Sequence, residues 1–283
     1  TLNKKLDEDL SNFNNSSIVL PLGEVKITRK IKSLLIVFRT NTSVEIWDQN
    51  KKRLFEYPKI EYATRSLNSL IKSIKYLRQE IPEINTKLII LDDHSNSINL
   101  EKIKKISEVE KNSEVISLNH ENYKSAIIEQ ESKETFSNLA SLLNSFEVGK
   151  DQGEDLVFFV EDDYLHFETM LEEMISSFQR ISSQLGKDIF MCPSDYPYLY
   201  MGNKKTNILI GNKRHWRTID KTLCTFLTSK TLINKYWDNF KKTCEKRHDP
   251  FEKYLNEIYL EEICISPIKS LSLHLTNINS SYG

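Results

Sequence analysis

Apolar residues in this chain follow two rhythms that alternate along most of its length. Short unbroken runs have the length and polar borders of strands buried on both faces: Ser33 to Phe38 (SLLIVF), Lys87 to Leu91 (KLIIL) and Leu156 to Val160 (LVFFV). Between them apolar positions recur at helical spacing. Leu67, Leu70, Ile71, Ile74 and Leu77 form one stripe, closed by Pro82; Phe136, Leu139, Leu142, Leu143 and Phe146 form another. The pattern also predicts a helix over about 99–107, a strand at Glu114 to Leu118 and a loop from Gly149 to Glu154.

The second half is less regular. It predicts a helix over about 167–185, a strand at Asp188 to Cys192 and a Tyr/Pro-rich loop from Pro193 to Gly202. Strands follow at Asn207 to Ile210, which reaches the turn Gly211-Asn212, and at Thr222 to Leu227. Ser229 can cap a helix to about Lys241. Asp249-Pro250 can start another, with Asp249 as N-cap and Glu252 placed for a capping box. Late strands fall near Ile263 and at Leu271 to Leu275, and Glu261-Glu262 reads as a solvated face. Residues 1–30 are polar, Asn/Ser-rich and broken by one apolar patch, Ile18-Val19-Leu20, as in an extension packed on a main domain or partly mobile.

Strand and helix in alternation argue an α/β fold with a mostly parallel central sheet flanked by helices. In such open sheets ligands bind beyond the carboxyl ends of the strands. Three strands end in polar clusters: Arg39-Thr40, Asp92-Asp93, and Glu161-Asp162-Asp163. Topology alone therefore predicts that these residues share one rim.

Composition narrows the chemistry. With 283 residues and a net charge of −1, the chain has no global basic field to attract nucleic acid or anionic lipid. No apolar run approaches the roughly 20 residues that cross a bilayer. The cysteines at 192, 224, 244 and 264 form no CxxC pair, so neither a zinc site nor a disulfide framework is expected, and reduced cysteines fit a cytoplasmic protein. No GxGxxG or Walker-type loop is present, which argues against a Rossmann dehydrogenase or a P-loop kinase.

The acidic triplet carries the sharpest chemistry. Hard divalent cations are held by a few carboxylates plus substrate phosphates. Adjacent acids at the end of a rigid strand can supply one direct metal ligand and one supporting or ribose contact. Weaker candidates lie beyond it. Asp195, in Ser194-Asp195-Tyr196-Pro197, reads either as a turn former or as a group reaching donor sugar or acceptor. His215-Trp216-Arg217 reads either as a sugar-stacking aromatic with a phosphate-binding Arg217 or as a core tryptophan between surface residues.

Three segments resemble the GT-A-fold glycosyltransferases: LLIVFRTN at 34–41, LIILDDHSN at 88–96 and LVFFVEDDYL at 156–165. The last is similar to the DxD motif in its EDD form, and the middle one to the DDxS strand end of family 2, with His94 where glycine is usual. The resemblance implies a nucleotide-binding half over 31–165 and an acceptor-binding half over 166–283, preceded by the extension 1–30. It implies a divalent metal, Mn2+ or Mg2+, on Asp163, with Glu161 and Asp162 near ribose and metal. Asp92 or Asp93 is expected near the base, and Arg39 and Thr40 near the nucleotide. A C-terminal histidine, His274, is expected at the metal; read alone it is a strand residue satisfied in the core. An inverting reaction needs a carboxylate base, for which Asp249, Glu252, Asp195 and Asp220 are candidates. The implied partners are a UDP-sugar donor and a glycan or lipid-linked acceptor in surface polysaccharide or glycoconjugate synthesis, with peripheral membrane association left open. The competing readings are a nucleotidyltransferase and a non-catalytic glycan-binding protein on the same fold.

Overall fold

The computed structural model describes residues 17–18, 25–43, 55–128, 132–200 and 205–276. Its first elements, in chain order, are β1 (Ser17–Ile18), β2 (Ser33–Thr40), α1 (Lys59–Glu80), β3 (Asn85–Asp92), α2 (Ser97–Ser107), β4 (Ser113–Ser117), α3 (Lys133–Gln152) and β5 (Leu156–Glu161). The remainder are β6 (Tyr164–His166), α4 (Met170–Leu185), β7 (Phe190–Met191), β8 (Asn207–Ile210), β9 (His215–Ile219), β10 (Phe226–Ser229), α5 (Lys230–Lys235), α6 (Trp237–Glu245), α7 (Lys253–Ile258), β11 (Cys264–Pro267) and β12 (Ser272–His274).

Ten strands form one sheet in the order β1-β8-β9-β11-β7-β10-β5-β2-β3-β4, and β12 pairs with β6 in a small second sheet. The block β5-β2-β3-β4 is parallel throughout. From β10 outward antiparallel pairings dominate: β10 runs against both β5 and β7, and β9 against both β11 and β8.

The apolar runs are continuous because both faces of the parallel block are covered. Leu34, Ile36 and Phe38 of β2, Leu88 and Ile90 of β3, and Leu156, Phe158 and Val160 of β5 pack with α1 and α4 in one core. The alternate residues Leu35, Val37, Ile89, Leu91, Val157 and Phe159 pack with α3, α6 and α7 in the other. The stripe Leu67, Leu70, Ile71, Ile74 and Leu77 is the buried face of α1, as its spacing predicts. Gly186, left-handed at φ 68°, closes α4 by donating from its N–H to the Ser182 carbonyl at 2.8 Å.

Several boundaries differ from the sequence expectation, each for a tertiary reason. The helix α3 runs through Gly149 to Gln152, where a loop is expected. A Cβ on Gly149 would sit 2.5 Å from the Phe159 ring, so this glycine serves close helix–sheet approach rather than a turn. The helix capped by Ser229 divides at Tyr236 into α5 and α6. The helix expected from Asp249 begins at Lys253, because the Lys253 N–H closes a turn on the Pro250 carbonyl at 3.1 Å. Glu252 therefore occupies the cap position, and its side chain makes no capping bond. The short strand β6 is absent from the sequence reading because its partner, β12, lies far along the chain.

Of the expected extension, residues 25–30 pack on the domain: the Thr28 and Arg29 N–H groups donate to Ser183 Oγ, and Arg29 pairs with Asp155 and Asp188. Apart from the strand Ser17–Ile18, residues 1–24 lie outside the described residues. The cysteines at 192, 224, 244 and 264 are free and buried. Among the described residues, no helix is long and apolar enough to cross a membrane.

Candidate active site at the carboxyl rim

Register brings the expected rim together. In the parallel block Arg39 sits opposite Glu161, and Thr40 opposite Asp92. Neighbouring strand residues point to opposite faces, so adjacent rim residues go to different sides. On the α1 side Thr40 Oγ1 donates to Asp162 Oδ2 at 2.8 Å, and the Lys59 ammonium also binds Asp162. On the α3 side Arg39 pairs with Glu161 and donates to Asn138 Oδ1 at 2.8 Å. Thr225, just before β10, braces Glu161: its Oγ1 lies 3.1 Å from the Glu161 N–H and 3.3 Å from Oε2. Burial alone would lower the Arg39 pKa, but Glu161 outweighs it and the guanidinium is held charged.

Asp92 and Asp93 have different tasks despite being adjacent. Asp92 Oδ2 accepts from the Ser95 N–H at 3.2 Å, while Oδ1 has no hydrogen-bond partner among the described residues. Burial raises its pKa, with Asp93 adding to that against the bonds from Ser95. Asp93 is saturated. Its Oδ2 accepts from Ser137 Oγ and from Asn41 Nδ2 (3.2 Å), and its Oδ1 contacts His94 and His120. Asn41 also donates from its backbone N–H to Asp162 Oδ2 at 3.3 Å, joining the two sides of the rim.

Asp163 lies just past β5, where the chain turns into β6. Pairing of β6 with β12 sets His274 opposite Tyr164, and the two rings stack at 4.5 Å and 4°. His274 Nε2 then lies 3.1 Å from Asp163 Oδ2, which also accepts from Thr276 Oγ1. The Leu275 N–H fixes the Asp163 carbonyl at 2.8 Å. Burial would raise the Asp163 pKa, but His274, Lys59 and Thr276 outweigh it and hold the carboxyl well below its ordinary range. Among the described residues, no third His, Cys, Asp or Glu joins this pair closely enough to complete a metal cage. An anionic carboxylate oxygen beside an imidazole nitrogen fits a divalent cation whose other ligands come from a diphosphate.

The second-half candidates divide. Asp195 follows β7 and is buried. Its Oδ1 accepts from Arg217 at 3.0 Å and its Oδ2 from Tyr200 Oη at 2.6 Å, with the guanidinium 3.7 Å above the Tyr200 ring. Asp195 and Arg217 thus answer each other. Trp216 is fully buried and donates to Glu173 Oε1 at 3.2 Å. Asp249 is exposed on the turn before α7. Glu252 is half-buried at the cap position of α7.

Lys59, Ser137, Asn138, His120 and Thr276 are absent from the sequence reading, and Asn41 enters it only as part of the polar end of β2. Lys59 carried a usable signal. A cation on the first turn of a helix opposes the macrodipole and calls for a compensating acid, here Asp162.

No protein-family model matches this sequence, and no characterised protein matches it at the sequence level. Its fold, however, is shared with solved structures. A structure of GalNAc-T7 with UDP, GalNAc and Mn2+ superposes with a TM-score of 0.51 at 11% identity, covering 89% of this chain and 44% of that one. A UDP-glucose pyrophosphorylase complexed with UDP-glucose gives 0.43 at 11% identity, covering 87% and 93%. The galactosyltransferase LgtC with donor and acceptor sugar analogs gives 0.39 at 13% identity, covering 80% and 70%. The first of these likenesses, with the strand order, shows that the chain carries the GT-A fold.

Proposed function

We propose that this protein is a metal-dependent glycosyltransferase that moves a sugar from a UDP-sugar to a glycan or lipid-linked acceptor. The observation that carries this reading is the Asp163–His274 pair, a half-buried anionic carboxylate and an imidazole 3.1 Å apart at the carboxyl rim of a GT-A sheet. The structure that shares this fold was solved with UDP and Mn2+, which supports both the nucleotide and the cation.

Asp163 and His274 would hold the metal, and Thr276 keeps the carboxylate in its rotamer. A divalent cation there supplies charge neutralisation for a departing diphosphate. Asp162, held by Thr40, Asn41 and Lys59, would support metal and ribose. Lys59 adds positive charge beside the phosphates. Arg39 acts through Glu161, which it orients, and Asp92 with Asp93 lines the base end. For the base we favour Glu252, whose half-buried carboxylate would take the acceptor hydroxyl proton as its oxygen attacks the anomeric carbon, giving inversion. Asp249, exposed on its turn, ranks second. Asp195 ranks third because Arg217 and Tyr200 already occupy both its oxygens.

A panel of UDP-sugars, with and without Mn2+, followed by thermal shift and by release of UDP, tests this reading. A ligand that binds only the native state raises the apparent melting temperature. The expected outcome is metal-dependent stabilisation together with UDP release. Stabilisation without transfer or hydrolysis would favour a non-catalytic glycan-binding protein. Binding that ignores the metal would remove the Asp163–His274 site from the mechanism.

A further inference from the structure

Of the six histidines in the chain, two follow the ends of neighbouring parallel strands. His94 comes just after β3, and His120 lies in the single helical turn His120–Tyr123 after β4. Asn119 accepts from the Glu121 N–H through its side chain and fixes that turn. Their rings stand 4.3 Å apart, and Phe136 packs edge-on against His120 at 5.5 Å. Both rings address one atom. His94 Nδ1 is 2.8 Å and His120 Nε2 2.7 Å from Asp93 Oδ1, and all three ligand atoms lie within 4.8 Å of one another. The proposed function uses neither imidazole.

The carboxylate at the centre is preorganised. Asp93 is 1% exposed, and its other oxygen is held by Ser137 of α3 and Asn41 of the rim. Supporting bonds of this kind orient a metal-ligating group. The entrance is open, since the His94 side chain is 58% exposed. A wall with a fixed carboxylate, one half-sheltered imidazole and one solvent-facing imidazole can admit a hydrated cation.

We infer that Asp93, His94 and His120 form a transition-metal site separate from Asp163–His274. Two imidazoles and one carboxylate are a three-ligand set that suits Zn2+ or Co2+, with the fourth position left to water or an exogenous anion. In the metal-free protein each imidazole donates its proton to Asp93. On binding, each proton resides on the other ring nitrogen and the freed lone pair goes to the metal. Imidazole ligands favour the later first-row cations over Mg2+, so the two sites are separable by metal identity. The inference stands on these residues alone and does not require glycosyl transfer.

Co2+ is the probe, titrated into metal-stripped full chain and followed by visible absorption, with Zn2+ as competitor. One equivalent is expected to give tetrahedral-type bands in the wild type and in Asp163→Asn, and Zn2+ should displace it. His120→Asn should abolish the bands. His94→Gln, a change at an exposed side chain that leaves the fold intact, should weaken binding by at least about 10-fold, as should Ser137→Ala through loss of carboxylate orientation. Three results would each overturn the site: no bands in the wild type at millimolar Co2+, unchanged affinity in His94→Gln, or loss of the bands in Asp163→Asn. The Asp163 variant separates this test from that of the glycosyltransferase reading.

Discussion

On the β5-β2-β3-β4 side of the sheet, each residue is brought to the rim by its own strand. Arg39 stands opposite Glu161 and Thr40 opposite Asp92 because the parallel strands end together. From β10 outward the rim is assembled from remote pieces. Thr225 reaches Glu161 from the start of an antiparallel strand, and Asp195 meets Arg217 from a loop after β7. His274 reaches Asp163 only because β12 returns to β6. The difference is one of loop closure. Local strand–helix units fix the first region, while the second depends on contacts between distant segments, whose closure entropy must be offset before they form.

The largest test of that comparison is in the shared core. Phe159 packs edge-on to Phe146 at 5.1 Å and beside Phe226 at 5.2 Å, where the parallel block meets β10. Phe159→Ala should cost about 3–5 kcal/mol in urea unfolding, with both regions lost together. Two separate transitions would show that the regions are independent folding units. Next, Asp163→Asn should weaken Mn2+-dependent UDP-sugar binding by about 100-fold, equivalent to about 2.7 kcal/mol, and leave the unfolding midpoint near wild type. A calorimetric affinity equal to wild type would break the link between the β5 end and His274.

A third test weighs Asp195 as scaffold against Asp195 as base. The pair with Arg217 is almost fully buried, so a double-mutant cycle of Asp195→Ala and Arg217→Ala should give a coupling of about 1–3 kcal/mol in stability. Additive effects together with lost turnover would move Asp195 to the head of the base candidates. A fourth test lies at the seam. His166 on β6 contacts Ser272 Oγ at 2.7 Å, and burial lowers its pKa from 6.5 to about 3. Its folded pKa lies below the unfolded one, so protonation favours the unfolded chain. Its contribution is therefore intact above about pH 6.5 and declines as pH falls toward 3, by about 1.4 kcal/mol per pH unit. His166→Asn should flatten that part of the stability profile; an unchanged acid slope would place the titrating group elsewhere.

What was legible in the sequence follows the same division. The strands ending at Arg39-Thr40, Asp92-Asp93 and Glu161-Asp162-Asp163, and the stripe of α1, were readable because apolar period and strand-end polarity are local properties. Gly149 misled the reading, since a glycine that admits an aromatic ring looks in sequence like a glycine that makes a turn. Glu252 misled it too: the capping-box spacing is present, yet the turn closed on Pro250 moves the helix start to Lys253. Thr276 was invisible because it is ordinary in its own segment and acquires meaning only beside an aspartate more than a hundred positions away.

By itself, the sequence determined the alternation of buried strands and amphipathic helices, and with it a parallel sheet whose carboxyl ends carry acids. Burial on both faces leaves little freedom in where such strands end. The tertiary structure decided which acids are engaged and by whom. It gave Asp162 to Lys59, Glu161 to Arg39, Asp195 to Arg217, Asp93 to two histidines, and Asp163 to His274. Those pairings depend on side-chain direction and on the return of distant strands, which a linear pattern does not encode.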